Sequence, residues 1–439
     1  MNEAAIQPRA APAATDSAMP ASLWAATAPP GPPLERFARS LSTEVAVIGA
    51  GYTGLSTALH LASAGVECAV IDRHEPGWGA SGRNGGQVLS GLRLQRVELR
   101  RIFGPEISDR AYETVETAAD FLFGLVERHG IDCDLVKGGS IRLAHTERGM
   151  ALLRQNHAVL VSEGVRSRLL DADAVAREVG TRAYVGGRFD PRSGTLHPLK
   201  YARGLASAAL GAGATLYRDS PATALRRDGG RWRVTTEAGE ILASKVVIAT
   251  NGYTDHLWPG LAETVLPLNS FQVATAPLTQ AQQAAILPGG ACFSDTRRLI
   301  LYAQRTRDHR LVLGGRASFT LADRAADYDV LRRVLTGLFP QLRDTPIEYR
   351  WVGRLALTRD FLPHLHAPAP GLLIAVGFNG KGVAMTTLMG KILADHIRAP
   401  AEPPAYPVTD VRPIPFHAFR QPALHLAMYY QTLMDRLGR

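Results

Sequence analysis

Val45-Ala-Val-Ile-Gly49-Ala-Gly51-Tyr-Thr-Gly54 decides the fold of this chain. Residues 45–48 form a short β-branched run that reads as a buried strand. Gly49 allows a tight turn, Gly51 lets backbone approach a pyrophosphate, and Gly54 lets a helix pack closely on the strand. Leu55, Ala58, Leu59 and Ala62 then recur at helical spacing, and Gly65 stops the helix. A second apolar run, 68–71, ends at Asp72, whose carboxylate suits ribose hydroxyls. A lone Gly-x-Gly-x-x-Gly is weak evidence in a chain with 42 glycines, but strand, turn, helix and strand in order are not. The pattern predicts a dinucleotide-binding βαβ unit. Asp72 does not choose the dinucleotide, since NAD also fits a carboxylate there.

Immediately after Asp72 comes Gly77-Trp-Gly-Ala-Ser81-Gly-Arg83-Asn84-Gly85-Gly86-Gln87. Half of residues 77–86 are glycine, too many for a strand or a helix interior. Such a segment suits a flat or anionic ligand, with backbone amides, Ser81, Arg83 and Asn84 facing it. Near the other end of the chain the run 371–376 meets Gly377-Phe-Asn-Gly380-Lys381-Gly382-Val383, and a helical pattern follows to about 397. This repeats the logic of the first motif and presents a second helix N-terminus to an electron-rich group. A cofactor long enough to touch both elements is implied. FAD fits, with its ADP half on the first and its isoalloxazine at the second.

Between these ends, helical pattern occupies 109–129 and 146–162, with a strand at 140–144. Asp171 caps a short helix, and Pro198 opens a helix over 198–211. Strands are expected at 214–217, 231–236, 240–243 and 245–248, a hairpin at 298–304 and 309–314, and helices at 324–338 and 423–437. The expected class is α/β (α+β overall): a Rossmann-like FAD-binding domain interleaved with a mixed-sheet substrate domain. The FAD-binding domain takes 41–92, 197–252 and 353–399, and the substrate domain 93–196 and 253–352. Residues 1–40 read as a disordered tail and an extended arm, and 400–439 as a C-terminal arm and helix.

Composition narrows the function. The 439 residues are 46% apolar, and no uninterrupted apolar stretch reaches the length of a membrane span. The net charge of +9 comes mostly from scattered Arg, without the dense basic runs and interleaved aromatics of a nucleic-acid binder. Residues 1–21 lack the continuous apolar segment of a secretory leader, so the expected location is cytoplasmic. Cys68, Cys133 and Cys292 have neither zinc nor disulfide spacing. His364 and His366 would share a face on a strand, but read as a polar loop. No metal is expected.

These motifs, with Trp24-Ala-Ala-Thr-Ala-Pro-Pro, Leu196-His-Pro-Leu-Lys-Tyr and Ala249-Thr-Asn-Gly-Tyr-Thr, resemble the D-amino-acid-oxidase-like superfamily of FAD-dependent oxidoreductases over residues 22–436. The nearest branch is that of gamma-glutamylputrescine oxidoreductase. The resemblance implies FAD contacts at Gly49, Gly51, Thr53, Gly54, Asp72, Arg73, Ser81, Arg83, Asn84, Gly85, Gly86 and Gln87. It adds Thr250 and Asn251 near the pyrophosphate or ribityl chain and the Ala222 backbone at the adenine. Gly380, Lys381, Gly382 and Val383 would meet the pyrimidine edge of the flavin. The family's first carboxylate is more often Glu, and Arg73 would compensate for the shorter Asp72. Residues 77–87 hold no His or Cys and no Cys follows Cys292, which implies noncovalent FAD.

Relatives of the glycine-oxidase type hold the substrate carboxylate with an Arg two residues beyond the Gly of a Trp-x-Gly segment. Here Trp351-Val-Gly353 is followed by Arg354, and Leu355 takes the matching position. On a strand that shift turns the side chain to the other face. An amine with a remote polar group is therefore expected rather than a simple α-amino acid. The expected reaction is oxidation of a primary or secondary amine to an imine, with oxygen, or else a quinone or carrier, as acceptor. Lys381 is the candidate for stabilising flavin charge, Tyr302 and Arg316 for the substrate face, and His197 for a role before its helix. An RNA-associated or noncatalytic flavoprotein are the alternatives of another class. The oligomeric state is not legible.

Overall fold

The computed structural model describes residues 18–315 and 324–436. Two sheets organise them. The first has the strand order Glu35–Arg36, Thr215–Arg218, Cys68–Ile71, Ser40–Ile48, Glu240–Ile248, Leu372–Val376, His364–Ala369, Val408–Thr409. From Thr215–Arg218 to Leu372–Val376 every pairing is parallel. Residues 45–48, 68–71 and 372–376 are buried without alternation, as strands covered on both faces require. Helices Tyr52–Ala62, Pro198–Gly211 and Gly382–Arg398 cover one face. Trp232, Val234 and Leu261 lie in the core on the other.

The second sheet runs Ile347–Leu357, Leu266–Thr275, Leu311–Gly315, Tyr302–Arg305, Cys292–Asp295, Ser140–Ala144, Gly186–Asp190, Arg168–Asp171. Its core face packs on helices Ala172–Val179 and Ala325–Leu338 through Val175, Val179, Leu331 and Leu335. The helix over 198–211 and the strand over 140–144 have their expected bounds. The Asp171 side chain accepts from the Ala174 amide at 2.7 Å, as a cap should.

Five expectations are corrected. The arm before the first strand is not wholly extended: Leu23–Thr27 is a helix, capped by Ser22, with Leu23 and Trp24 buried beside Leu199 and Trp351. The helical stretch 109–129 is two helices, Pro105–Glu116 and Ala118–Arg128, separated at Thr117, whose hydroxyl bonds back to the Thr114 carbonyl. Residues 240–248 are one strand, because pairing with Ser40–Ile48 spans Ser244. His364 and His366 sit on a strand, their rings stacked 5.3 Å apart, held by the Thr409 hydroxyl and carbonyl. The strand Ile347–Leu357 runs through the expected boundary at 353. Among the described residues no helix is long and apolar enough to cross a membrane.

Candidate active site

The first glycine turn is tight for a steric reason. Gly49 has φ +112°, and a Cβ there would stand 2.8 Å from the Ala249 carbonyl oxygen. A Cβ on Gly54 would enter the Gly49 carbonyl. Gly51 caps the helix Tyr52–Ala62. Ser81 Oγ accepts from the Tyr52 amide at 3.0 Å, while the amides of Gly51 and Thr53 lack intrahelical partners and suit a phosphate. Asp72 takes the Ala50 amide at 2.6 Å on one oxygen and the His74 amide at 2.8 Å on the other. Burial pushes its carboxyl up to about 6 against these bonds. Arg73 pairs with Asp255 at 3.0 Å, and its charge also favours the ionised form of Asp72. Ala222 packs against the core below the adjoining strands.

The segment 77–87 is an internally braced loop. Arg83 is 7% exposed, and its guanidinium lies 4.6 Å from the Trp78 ring centroid and donates to Tyr253 Oη at 2.5 Å. Its carbonyl accepts from Gln272 and Trp351. Asn84 donates to Tyr52 Oη and two carbonyls, and accepts from the Gly86 amide. Ser81, Arg83 and Asn84, expected to face a ligand, thus have their polar groups engaged by protein, because an enclosed loop this short of side chains must be held by those it has. Gln87 donates to Phe293 and Ala303, tying the loop to the second sheet. Gly85 lies under Tyr302, whose ring a Cβ there would penetrate.

The far glycine segment is joined to the turn that follows the strand Glu240–Ile248. Asn251, at φ +43°, accepts from the Gly377 amide at 2.9 Å, and Thr250 bonds Thr254. Gly380, at φ +83°, has open space where a Cβ would go. Lys381 caps the helix Gly382–Arg398 and donates to the Leu92 carbonyl at 3.2 Å. Burial, and then the nearby Arg142, push its amine down to about 8.

A cavity of about 630 Å³ connects these parts, lined by Tyr52, Ser81, Asn251, Gly380–Val383 and Tyr302. Glycines without room for a Cβ, two helix N-termini and this volume fit a flavin dinucleotide. Tyr302 enters the cavity with its hydroxyl 2.9 Å from Ser270 Oγ. Lys381 lines the same cavity. His197 does not: it lines a separate hollow, accepts from the Lys200 amide as a helix cap, and sits 3.0 Å from Thr27 Oγ. Burial and then Lys200 push it down to about 4, so it stays neutral. Arg316 lies outside the described residues. Sequence reasoning missed Arg93, Arg142, Arg188, Arg192, Glu116 and Asp190, all on the cavity wall. The available signal was Arg142 itself, a cation in the run Ser140-Ile-Arg-Leu-Ala.

Pleat and register settle the strand after Trp351. Ser270 opposes Gly353, and Leu268 opposes Leu355, so Leu355 shares the face of Ser270, whose hydroxyl meets Tyr302. Arg354 alternates to the other side and lies 5.1 Å from the Tyr253 ring centroid.

A family model described as FAD dependent oxidoreductase matches residues 44–396. A probable oxidoreductase, OrdL, of Rhizobium meliloti is 32% identical over 94% of this chain and 97% of its own. The gamma-glutamylputrescine oxidoreductase of Escherichia coli is 32% identical over 95% of this chain and 98% of its own. The crystal structure of glycine oxidase from Geobacillus kaustophilus superposes with a TM-score of 0.71 at 23% identity, covering 82% of this chain and 95% of that one. The chain therefore belongs to the family of FAD-dependent oxidoreductases, with FAD as its cofactor.

Proposed function

We propose that this protein oxidises a primary or secondary amine of the gamma-glutamylputrescine type to an imine, which water converts to an aldehyde, with oxygen as electron acceptor and in the cytoplasm. The observation that carries the reading is Leu355 on the Ser270 face of the strand, where glycine-oxidase-type enzymes would need an Arg for an α-carboxylate. The E. coli relative supports the substrate type.

Noncovalently bound FAD supplies the acceptor for a hydride from the carbon beside the nitrogen. The chain's residues prepare that carbon. Six cationic residues (Arg83, Arg93, Arg142, Arg188, Arg192, Lys381) line the cavity against three carboxylates (Glu98, Glu116, Asp190). That surplus disfavours an ammonium, so the amine binds neutral and its nitrogen needs no dedicated base. The Tyr302–Ser270 hydroxyl pair accepts or donates one hydrogen bond to the nitrogen. Lys381, at the start of the helix Gly382–Arg398, would offer positive charge to a reduced flavin held at that turn. The amides of Gly51 and Thr53, the Asp72 carboxylate and the turn Gly380–Val383 are the FAD contacts of this reading.

The test is a purified holoenzyme mixed anaerobically with gamma-glutamylputrescine, putrescine and glycine. Bleaching of the yellow spectrum by the first and not by glycine is expected, with peroxide on admitting air. Bleaching by glycine alone would overturn the substrate class. Bleaching by the amine without peroxide would transfer the electrons to a quinone or carrier.

A further inference from the structure

One row of the second sheet crosses the cavity wall. Arg188 pairs with Arg142, Arg142 with Ser294, Ser294 with Tyr302, Tyr302 with Gly314 and Gly314 with Gln272. A Cβ on Gly314 would enter the Tyr302 ring, so the glycine makes room for it. The row is thus graded: two guanidiniums at one end, the phenol in the middle, and an amide gripping the Arg83 carbonyl at the other.

The guanidinium end lacks matched anions. Arg142 donates to Ser294 Oγ at 2.9 Å, and among the described residues no carboxylate forms an ion pair with it. Arg188 reaches only Asp190, at 3.5 Å, and its Nε is buried without a partner. Asp190 is already held by the Arg192 fork at 3.0 and 2.8 Å, and Glu116 takes the remaining arm of Arg192. A largely buried guanidinium facing a neutral hydroxyl, beside a second with an orphaned N–H, is costly unless an anion completes it.

We propose that Arg142 and Arg188 form an anion subsite that takes a carboxylate at the end of the substrate remote from the amine being oxidised. The inference rests on the amine-oxidising reading. The spacing agrees. Arg142 stands two strands from Tyr302, roughly 10 Å at the usual interstrand distance. The chain between the reacting carbon and the α-carboxylate of gamma-glutamylputrescine is about 10 Å when extended, judged by the reach of a backbone with the same number of bonds. A free diamine of the putrescine type falls short of the pair. A simple α-amino acid, with its carboxylate on the reacting carbon, cannot reach the pair at all.

The decisive measurement compares gamma-glutamylputrescine with putrescine on the holoenzyme. In Arg142→Met the ratio of their kcat/KM values should fall by roughly tenfold to a hundredfold, the usual worth of a charge-assisted bond. Arg142→Lys should restore part of it. A readout independent of turnover is glutarate binding, followed through the visible flavin spectrum. Its affinity should weaken at least about tenfold in Arg142→Met and in Arg188→Gln. An unchanged ratio, unchanged glutarate affinity, or loss of FAD from Arg142→Lys would overturn the subsite. If the wild-type enzyme oxidises no amine, the functional reading has failed, and the glutarate titration alone decides the subsite.

Discussion

Gly390→Ala should loosen FAD, although Gly390 belongs to neither glycine turn. It sits in the helix Gly382–Arg398 where that helix crosses Tyr52–Ala62. A Cβ at this position would stand 2.5 Å from Ser56 Cβ and 2.7 Å from the Thr53 oxygen and the Thr57 nitrogen. Two of the three obstacles are backbone, so the helices must part by roughly 1 Å to reach ordinary contact. Overpacking of this kind costs about 3 kcal/mol at the upper end, and alanine's better helix propensity returns about 1. The net loss is about 2 kcal/mol, or roughly 2 °C in Tm at this chain length.

The displaced helix carries the amides of Gly51 and Thr53. Losing one hydrogen bond to a phosphate weakens FAD by about tenfold or more. Tm by differential scanning fluorimetry and FAD affinity by quenching of free flavin fluorescence are the assays. Gly337→Ala is the control. It lies in the helix Ala325–Leu338 with nothing within 4 Å of a new Cβ, and should gain up to about 1 kcal/mol with FAD affinity unchanged. If Gly390→Ala matches Gly337→Ala in both assays, the close crossing does not position the turn.

Lys381→Met tests the buried amine. In the apoprotein its pKa of about 8 lies below the unfolded value, so the charge weakens the fold below pH 8 and stability recovers as pH rises towards 10.5. Met should therefore stabilise the apoprotein at pH 7 but not at pH 10.5, by urea titration. The anionic cofactor favours the charged amine, so wild-type FAD affinity should fall as pH rises through about 8, and that slope should vanish in the variant. His197→Ala should lose a helix cap, about 1 kcal/mol in thermal unfolding, with kcat within about twofold of wild type.

Much of this site was legible in order along the chain because its parts are local. Gly54 is needed for its contact with the Gly49 carbonyl in the same turn, and the buried parallel strands announce themselves as unbroken apolar runs. The Trp24 segment reads as extended in sequence, since the helix at 23–27 depends on burial against Leu199 and Trp351. For His197 the sequence shows only a place before a helix. Its neighbours Thr27, Trp24 and Lys200 show that it is a neutral cap.

The sequence by itself determined the cofactor class, since two glycine-rich helix starts can be recognised wherever they lie. It also determined that Arg354 and Leu355 fall on opposite faces, because alternation along a strand is built into the backbone. Which of those faces meets the cavity was decided by pairing with Leu266–Thr275. The row from Arg188 to Gln272 was likewise invisible in the chain. Its six residues come from six strands drawn from distant parts of the sequence, and hydrogen-bonded register alone sets them side by side.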